Sequence, residues 1–590
     1  MKSPVNILHF DPKSESKGSL MNHRLINLLI AVTAFVAVAA AQRPAEPPVF
    51  TRADTLRGML TPARTCYDVT YYHLDVRIDT LKKSLTGSNT ITFRAVNDFD
   101  RMQVDLFANL SIDGITLDGK AATYEREFNA VFVNLPAKVK KGTLHELKFS
   151  YSGTPQIATN PPWQGGLTWR YDSEGNPWVC VTCQGTGASI WWPNKDHQSD
   201  EPDSMMISMT VPPGLEDVSN GKLRAVTTLP DGWKKFDWFV ANPINNYNVT
   251  INIGKFAHFS DTFQGEEHEY SLDYYVMPEN LEKAKVQFQQ VKPMLKCYEK
   301  FFGPYAFWKD GYKLIESPHN GMEHQSAVAY GNGYIQGYRG RASSAVGMKF
   351  DFIIIHETAH EWWGNSLTSS DIADMWMHES FGAYAEAVYV ECLYGREESL
   401  KYINGKKSNV RNDRPIIGIY NVQYRGSGDM YDKGQLVLNT LRSVIDDDAL
   451  WFDIIRGFAM KHVKSIVKAE DFFGFIKERT GKDLSYFYDQ YLKEPKVPVL
   501  QVNVVKKGSD VTAMYRWDAD VESFQMPVKV TTSPGEFEFI YPTTSWNTAK
   551  LNLHDPSEFQ VAEDLFYIET RIGRSYLDPN MPERPARRRN

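Results

Sequence analysis

Along this chain the spacing of hydrophobic positions changes character several times, and each change marks a boundary. Residues 25–40 are almost wholly apolar, follow the short basic start Met21-Asn22-His23-Arg24, and end in Ala39-Ala40-Ala41. A basic start, an apolar stretch and a small-residue cleavage site make a secretory signal. The stretch before Met21 is polar and unpatterned, so translation is expected to begin at Met21 and residues 1–41 to be removed. An uncleaved anchor is the alternative, although the apolar run falls just short of a comfortable membrane span. Residues 43–48 are proline-rich and read as a linker. Period-two alternation then predicts strands at 72–78, 90–96 and 144–151, with Asp-Gly and Asn-Gly turns in the same region. Near Pro278 the period becomes helical: residues 281–302 predict a helix that Gly303-Pro304 ends, with further helices at 436–445, 451–461, 469–479 and 485–492. A second strand-rich segment begins at Val497.

These patterns predict a multidomain α+β protein: an all-β domain at 49–265, a helical domain at 266–496, a small β-sandwich at 497–572 and a disordered tail at 573–590. Composition adds that the chain is globular, with 42% hydrophobic and 23% charged residues among 590. The net charge of −7 argues against nucleic acid as a partner. Five cysteines do not make a disulfide scaffold in a chain this long; Cys180 and Cys183, on an alternating stretch, are expected to be ordinary thiols. Asn109 and Asn248 begin glycosylation sequons.

The chemistry concentrates in His356-Glu357-Thr358-Ala359-His360. Residues 346–355 are mostly apolar and predict a helix entering this stretch. Two histidines one helical turn apart present one face to one ion, and Glu357 between them is placed to act on a water rather than on the metal. Glu379 follows at a distance that lets this helix end near Gly364-Asn365 and a second helix offer a third ligand. Three ligands, His356, His360 and Glu379, with an open fourth position describe a catalytic zinc site, one ion per chain. Glu386, on the same helix face as Glu379, either orients a zinc histidine or is a solvated charge; His378 points elsewhere.

With these motifs in place, the chain resembles the M1 family of zinc aminopeptidases, over nearly all of its mature length. The resemblance implies a thermolysin-like helical catalytic domain between the two β-rich parts, and Glu357 as general base. His319-Asn320-Gly321-Met322-Glu323-His324 is similar to the family's GxMEN substrate motif, with Asn320 in place of its glycine and His324 in place of its asparagine. This implies that Asn320, Gly321, Met322 and above all Glu323 bind substrate, the Glu323 carboxylate reading the free α-amine. Tyr431-Asp432-Lys433-Gly434 is similar to the family's Tyr-x-Lys-Gly segment and implies that Tyr431 donates to the oxyanion. Gln184 aligns with a glutamine that helps bind the amino end, although Ser189 and Asn194 stand where an arginine and a cysteine are expected. The resemblance therefore implies hydrolysis of the N-terminal residue from peptides with a free N-terminus, in an exported protein with no stable membrane insertion once the signal is cleaved. A zinc endopeptidase and an inactive peptide-binding relative are the alternatives. The large helical C-terminal domain of many relatives finds no room in this sequence, so a more open site is expected; oligomeric state is left open.

Overall fold

The computed structural model describes residues 48–577, so the expected signal segment at 1–41 and most of the expected tail lie outside the described residues. The N-terminal part is built on β1 (Tyr67–Asp79), antiparallel to β2 (Ser84–Ala95) and parallel to a later strand, Ser204–Val211, in an eight-stranded sheet. Its apolar alternation buries Val69, Tyr72, Leu74, Val76 and Ile78. Removal of such side chains from water contributes about 1.5–3 kcal/mol each. The alternation slips by one residue between Val69 and Tyr71, where the strand bulges. β3 (Pro177–Thr182) lies in a separate four-stranded sheet, and its end delivers Gln184.

β4 (Ala257–Gln264) and β5 (Glu269–Val276) form a hairpin whose second strand runs parallel to β6 (Tyr312–Glu316). Next come β8 (Val328–Tyr330), parallel to β6, and at the edge β7 (Gly321–Met322), antiparallel to β8. Alternate side chains of this sheet enter different cores: Leu314, Val328 and Tyr330 face the helices, whereas Ile315, Met322 and Ala329 join the core of the N-terminal β part. The sheet is thus a wall shared by two cores. The boundary expected at 265/266 falls inside the β4–β5 hairpin, whose strands pair from Ala257↔Val276 to Gln264↔Glu269. Strand pairing therefore assigns residues 257–264 to the sheet beside the helices.

The helix expected over 281–302 is broken. A 3₁₀ turn at Phe288–Gln290 separates Leu281–Gln287 from α1 (Val291–Phe302). Pro293 sits in the first turn of α1, where its missing N–H is harmless; deeper in one continuous helix it would clash with the preceding turn. α2 (Phe352–Ala359) is buried from Ile353 onward, and α3 (Trp376–Tyr394) from Trp376 to Val390. α2 stops earlier than expected: His360 keeps helical dihedrals, but the chain then turns, and Gly364 adopts φ +132°. α4 (Arg396–Gly405) and α5 (Asp432–Ile445) pack against α3.

Beyond Val499, β9 (Val499–Lys507) and β10 (Glu569–Leu577) pair in parallel in a four-stranded sheet accompanied by a two-stranded one. Their inward residues Leu500, Val502 and Val504 belong to the same core as Tyr491 and Leu492. Residues 573–577, expected to belong to the tail, are instead paired to β9 as far as Lys507↔Leu577. Cys180 and Cys183 are buried free thiols, as expected, but Cys297 on α1 and Cys392 on α3 form a disulfide across 95 residues. Nothing in the helical pattern pointed to that pairing. Of the two sequons, Asn109 is exposed, whereas Asn248 is buried and donates to Asn365 Oδ1 at 2.8 Å. Among the described residues no helix is long and apolar enough to cross a membrane.

Candidate metal centre and active site

α2 is aimed by its N-cap. Asp351 accepts from Ile353 N at 3.0 Å and from the Tyr330 hydroxyl, Gln287 Nε2 and Asn332 Nδ2 at 2.7, 2.7 and 2.9 Å. One buried carboxylate therefore satisfies the helix start and ties it to the shared sheet. Tyr298 of α1 donates to the Ile355 carbonyl at 2.8 Å and fixes the helix from the other side.

Further along α2, His356 Nε2 and His360 Nε2 lie 3.3 Å apart, and Glu379 Oε2 lies 3.8 and 3.5 Å from them. Atoms held about 2.0–2.1 Å from a tetrahedral zinc are themselves roughly 3.4 Å apart, so this triangle has the size of one face of such a site. Both rings are turned the right way. His360 Nδ1 faces the Trp363 carbonyl at 2.9 Å, which only accepts, so its proton sits there and the Nε2 lone pair faces inward. His356 Nδ1 meets Glu386 Oε1 at 2.7 Å. Glu386 is buried and bonded by the Tyr402 hydroxyl, with Lys406 Nζ at 3.6 Å. The orienting alternative for Glu386 is therefore the one the fold adopts. His378 points away, its Nε2 accepting from Ser369 N at 2.9 Å. Gly382 makes room for the centre, since a Cβ there would lie 2.8 Å from His360 Cε1.

The electrostatics ask for positive charge. Burial lowers the His356 pKa, but bonding to Glu379 and Glu386 outweighs it and the net direction is strongly upward. Burial holds His360 down at about 4. Burial would raise Glu379, yet the two histidines hold it near 2. Glu323 is pushed well up by burial, then by the charges of Glu379 and Glu357. Burial raises Glu357 to about 7 against the pull of His356. Three buried carboxylates converging on two inward-facing imidazole nitrogens fit a divalent cation beside a bound ammonium.

Glu357 looks across to the edge strand β7, where a Cβ on Gly321 would sit 2.5 Å from its Oε1. Only glycine admits the carboxylate there. Glu323 follows on the same segment and accepts from Gln184 Nε2, and from the Tyr247 hydroxyl at 3.2 Å. Gln184 Nε2 also reaches Glu379 Oε1 at 3.0 Å, which links the N-terminal β part to the metal face. Asn320 donates to the Tyr338 hydroxyl at 2.7 Å. His324, the other departure from the motif, is buried with neither ring nitrogen paired among the described residues, and it does not line the cavity. Tyr431 stands at the start of α5, its ring 5.9 Å from that of His356. Burial and the Glu379 charge raise its phenol well above the usual range, so it stays a donor. Lys433 and Gly434 explain why the segment reads as it does. Lys433 is buried with Nζ 2.8 Å from the Pro495 carbonyl, and a Cβ on Gly434 would come 2.0 Å from Ser380 Oγ, so α5 approaches α3 only without a side chain.

The ten expected site residues line one cavity of about 860 Å³: Gln184, Asn320, Gly321, Met322, Glu323, His356, Glu357, His360, Glu379 and Tyr431. Sequence reading missed Tyr247, Asp351 and Tyr402. Only Asp351 carried a signal, as a capping residue before an apolar run.

Residues 286–491 match the model of the peptidase family M1 domain. The chain is 21% identical to leukotriene A-4 hydrolase from Xenopus laevis, over 72% of this chain and 69% of that protein. It is 24% identical to a probable aminopeptidase 1 from Sulfurisphaera tokodaii, over 73% of this chain but only 54% of the relative, so it spans about half the length of that protein. Among solved structures, a mutant M1 zinc metallopeptidase from Deinococcus radiodurans, bound to a Tyr-Ser-Ala substrate, superposes with TM-score 0.60 at 19% identity, over 75% of this chain and 98% of that one. At that identity the likeness speaks to the fold. The chain carries a peptidase family M1 domain, and its metal-ready triad lies inside it at His356, His360 and Glu379.

Proposed function

We propose that this chain is a zinc aminopeptidase that removes the N-terminal residue from peptides, with one zinc per chain held by His356, His360 and Glu379. When bound, zinc supplies Lewis-acid polarisation of the peptide carbonyl and lowers the pKa of an attacking water. The protein supplies the rest. Glu357, kept in place by the bare backbone of Gly321, takes the proton of the water and returns it to the leaving amine. Tyr431 donates to the carbonyl oxygen as negative charge develops. Glu323 receives the substrate ammonium in a charge-assisted hydrogen bond, and Met322 and Asn320 complete that wall. Gln184 spends its amide donors on Glu323 and Glu379, and this leaves its Oε1 to accept from the same ammonium.

The observation that carries the reading is the buried Glu323 carboxylate, bonded by Gln184 and Tyr247 and set beside the metal triad. A zinc endopeptidase has no use for that carboxylate, and an inactive relative none for Glu357 together with Tyr431. The test is turnover of aminoacyl-arylamides by the zinc-loaded protein. Turnover should vanish with chelator and fall about 10²–10⁴-fold in Glu357→Gln while zinc stays bound. Chelator-insensitive turnover, or an unimpaired Glu357→Gln, defeats the proposal.

We also propose that the chain is exported after cleavage near residue 41, a membrane anchor being the alternative. The Cys297–Cys392 disulfide supports this, because such bridges persist in oxidising compartments. N-terminal sequencing of protein from cell fractions checks it; an intact residue 21–41 segment on cytosolic protein contradicts it.

A further inference from the structure

One cation in the cavity is unlike the others. Arg339 and Arg341 also line it but are exposed, and Lys406 is engaged with Glu386 and Asp432 at 3.6 Å each. Arg425 is partly buried, and among the described residues its guanidinium forms neither an ion pair nor a hydrogen bond. Elsewhere the partly buried Arg396 and the buried Arg442 both pair with Glu391. An unengaged guanidinium in a partly enclosed cavity is available to pair with an anionic ligand.

Its position says which anion. Arg425 Nη1 lies 3.9 Å from where a Cβ on Gly185 would sit, so the guanidinium rests against the residue following Gln184. Gln423 Nε2 donates to the Gly185 carbonyl at 2.7 Å and holds the two segments together. Tyr431 lines the same cavity. The guanidinium therefore lies beside the segment that holds the substrate's amine and shares the cavity with the group that holds its scissile carbonyl. A substrate's first side chain branches from the carbon joining that amine to that carbonyl. Building on the aminopeptidase reading, we propose that Arg425 is a specificity-determining residue: it pairs with the side-chain carboxylate of an N-terminal aspartyl or glutamyl residue while Glu323 and Gln184 hold its ammonium. The planar guanidinium donates two parallel hydrogen bonds, which such a carboxylate accepts and a neutral aliphatic side chain cannot.

A carboxylate is also present at the C-terminus of a short peptide, and the test separates the two sources. Arylamides have no C-terminal carboxylate. With the zinc-loaded full chain, kcat/KM is measured on glutamyl-, aspartyl-, alanyl-, leucyl- and lysyl-arylamides, and on an alanyl dipeptide against its C-terminal amide. The acidic arylamides should lead by about ten- to a hundredfold, as a charge-assisted hydrogen bond contributes. Arg425→Gln should collapse the glutamyl-to-alanyl ratio toward one, and Arg425→Lys should restore part of it, with zinc content and melting temperature recorded for each variant. A wild type that prefers alanyl or leucyl arylamides, or a ratio unchanged in Arg425→Gln, overturns the proposal. So does an Arg425-dependent preference for the free dipeptide over its amide without a glutamyl preference. Failure on every arylamide would defeat the aminopeptidase reading itself; cleavage of neutral ones alone would defeat only the role of Arg425.

Discussion

At the scale of single residues, the site is a set of side chains whose freedom has been removed by neighbours with no chemical role. Gly321 and Gly382 are instructive, because each leaves the volume that Glu357 or His360 needs. Glu386 acts in the same way through a hydrogen bond, fixing His356 with its Nε2 inward. Loss of such an orienting carboxylate typically costs 10–100-fold in metal affinity or activity. Glu386→Ala should therefore lower zinc affinity by that factor in a competition titration with a chromogenic chelator; unchanged affinity would show that the bond does not orient the ring. In the proposed reaction Tyr431 works by donation. Tyr431→Phe should lower kcat by about 10²–10³-fold with little change in KM, as loss of an oxyanion donor does. An effect confined to KM would assign Tyr431 to ground-state binding. The sequence made the ion-holding residues readable because helical spacing alone puts His356 and His360 on one face. It left Tyr247 and the proposed role of Arg425 unreadable, because both depend on distant loops closing around Gln184 and Glu323.

At the scale of elements, the second core positions the site through a few rigid pieces. The Asp351 cap fixes α2, α3 brings Glu379 in its first turn, and the bare surface of Gly434 lets α5 deliver Tyr431. The disulfide between Cys297 and Cys392 ties α3 to α1, which in turn holds α2 through Tyr298. Closing a loop of 95 residues should stabilise the fold by about 2–4 kcal/mol. Reduction, or replacement of both cysteines by serine, should lower the melting temperature, and reductant should have no further effect on the double variant. Equal melting of oxidised and reduced protein would contradict this. Strand alternation and helical period located most of these elements. What they could not locate was the end of the β part. β4 looks like any other two-period strand, and only its pairing with β5 carries it to the other side of the boundary. The Ser189 departure reads differently in three dimensions too. Ser189 bonds Asp196, and Arg57 comes from an earlier helix to lie beside it, so an arginine is present at this turn although not from the aligned position.

At the scale of the whole molecule, the cavity lies where two hydrophobic cores meet at a shared sheet, and each supplies part of the chemistry. The N-terminal β part contributes Gln184 and Tyr247, and the helical part the metal face, Glu357 and Tyr431. This division gives the account its central claim: the metal face alone would cut any peptide bond brought to it, and the carboxylate at Glu323, held by groups from the other core, restricts cutting to chain ends. The direct measurement is digestion of one peptide in two forms, with a free and with an acetylated N-terminus, by the zinc-loaded protein, the products being read by mass spectrometry. The free peptide should lose single residues in order from its N-terminus, and the acetylated peptide should remain intact. Internal cleavage of the acetylated peptide at a comparable rate would contradict the account.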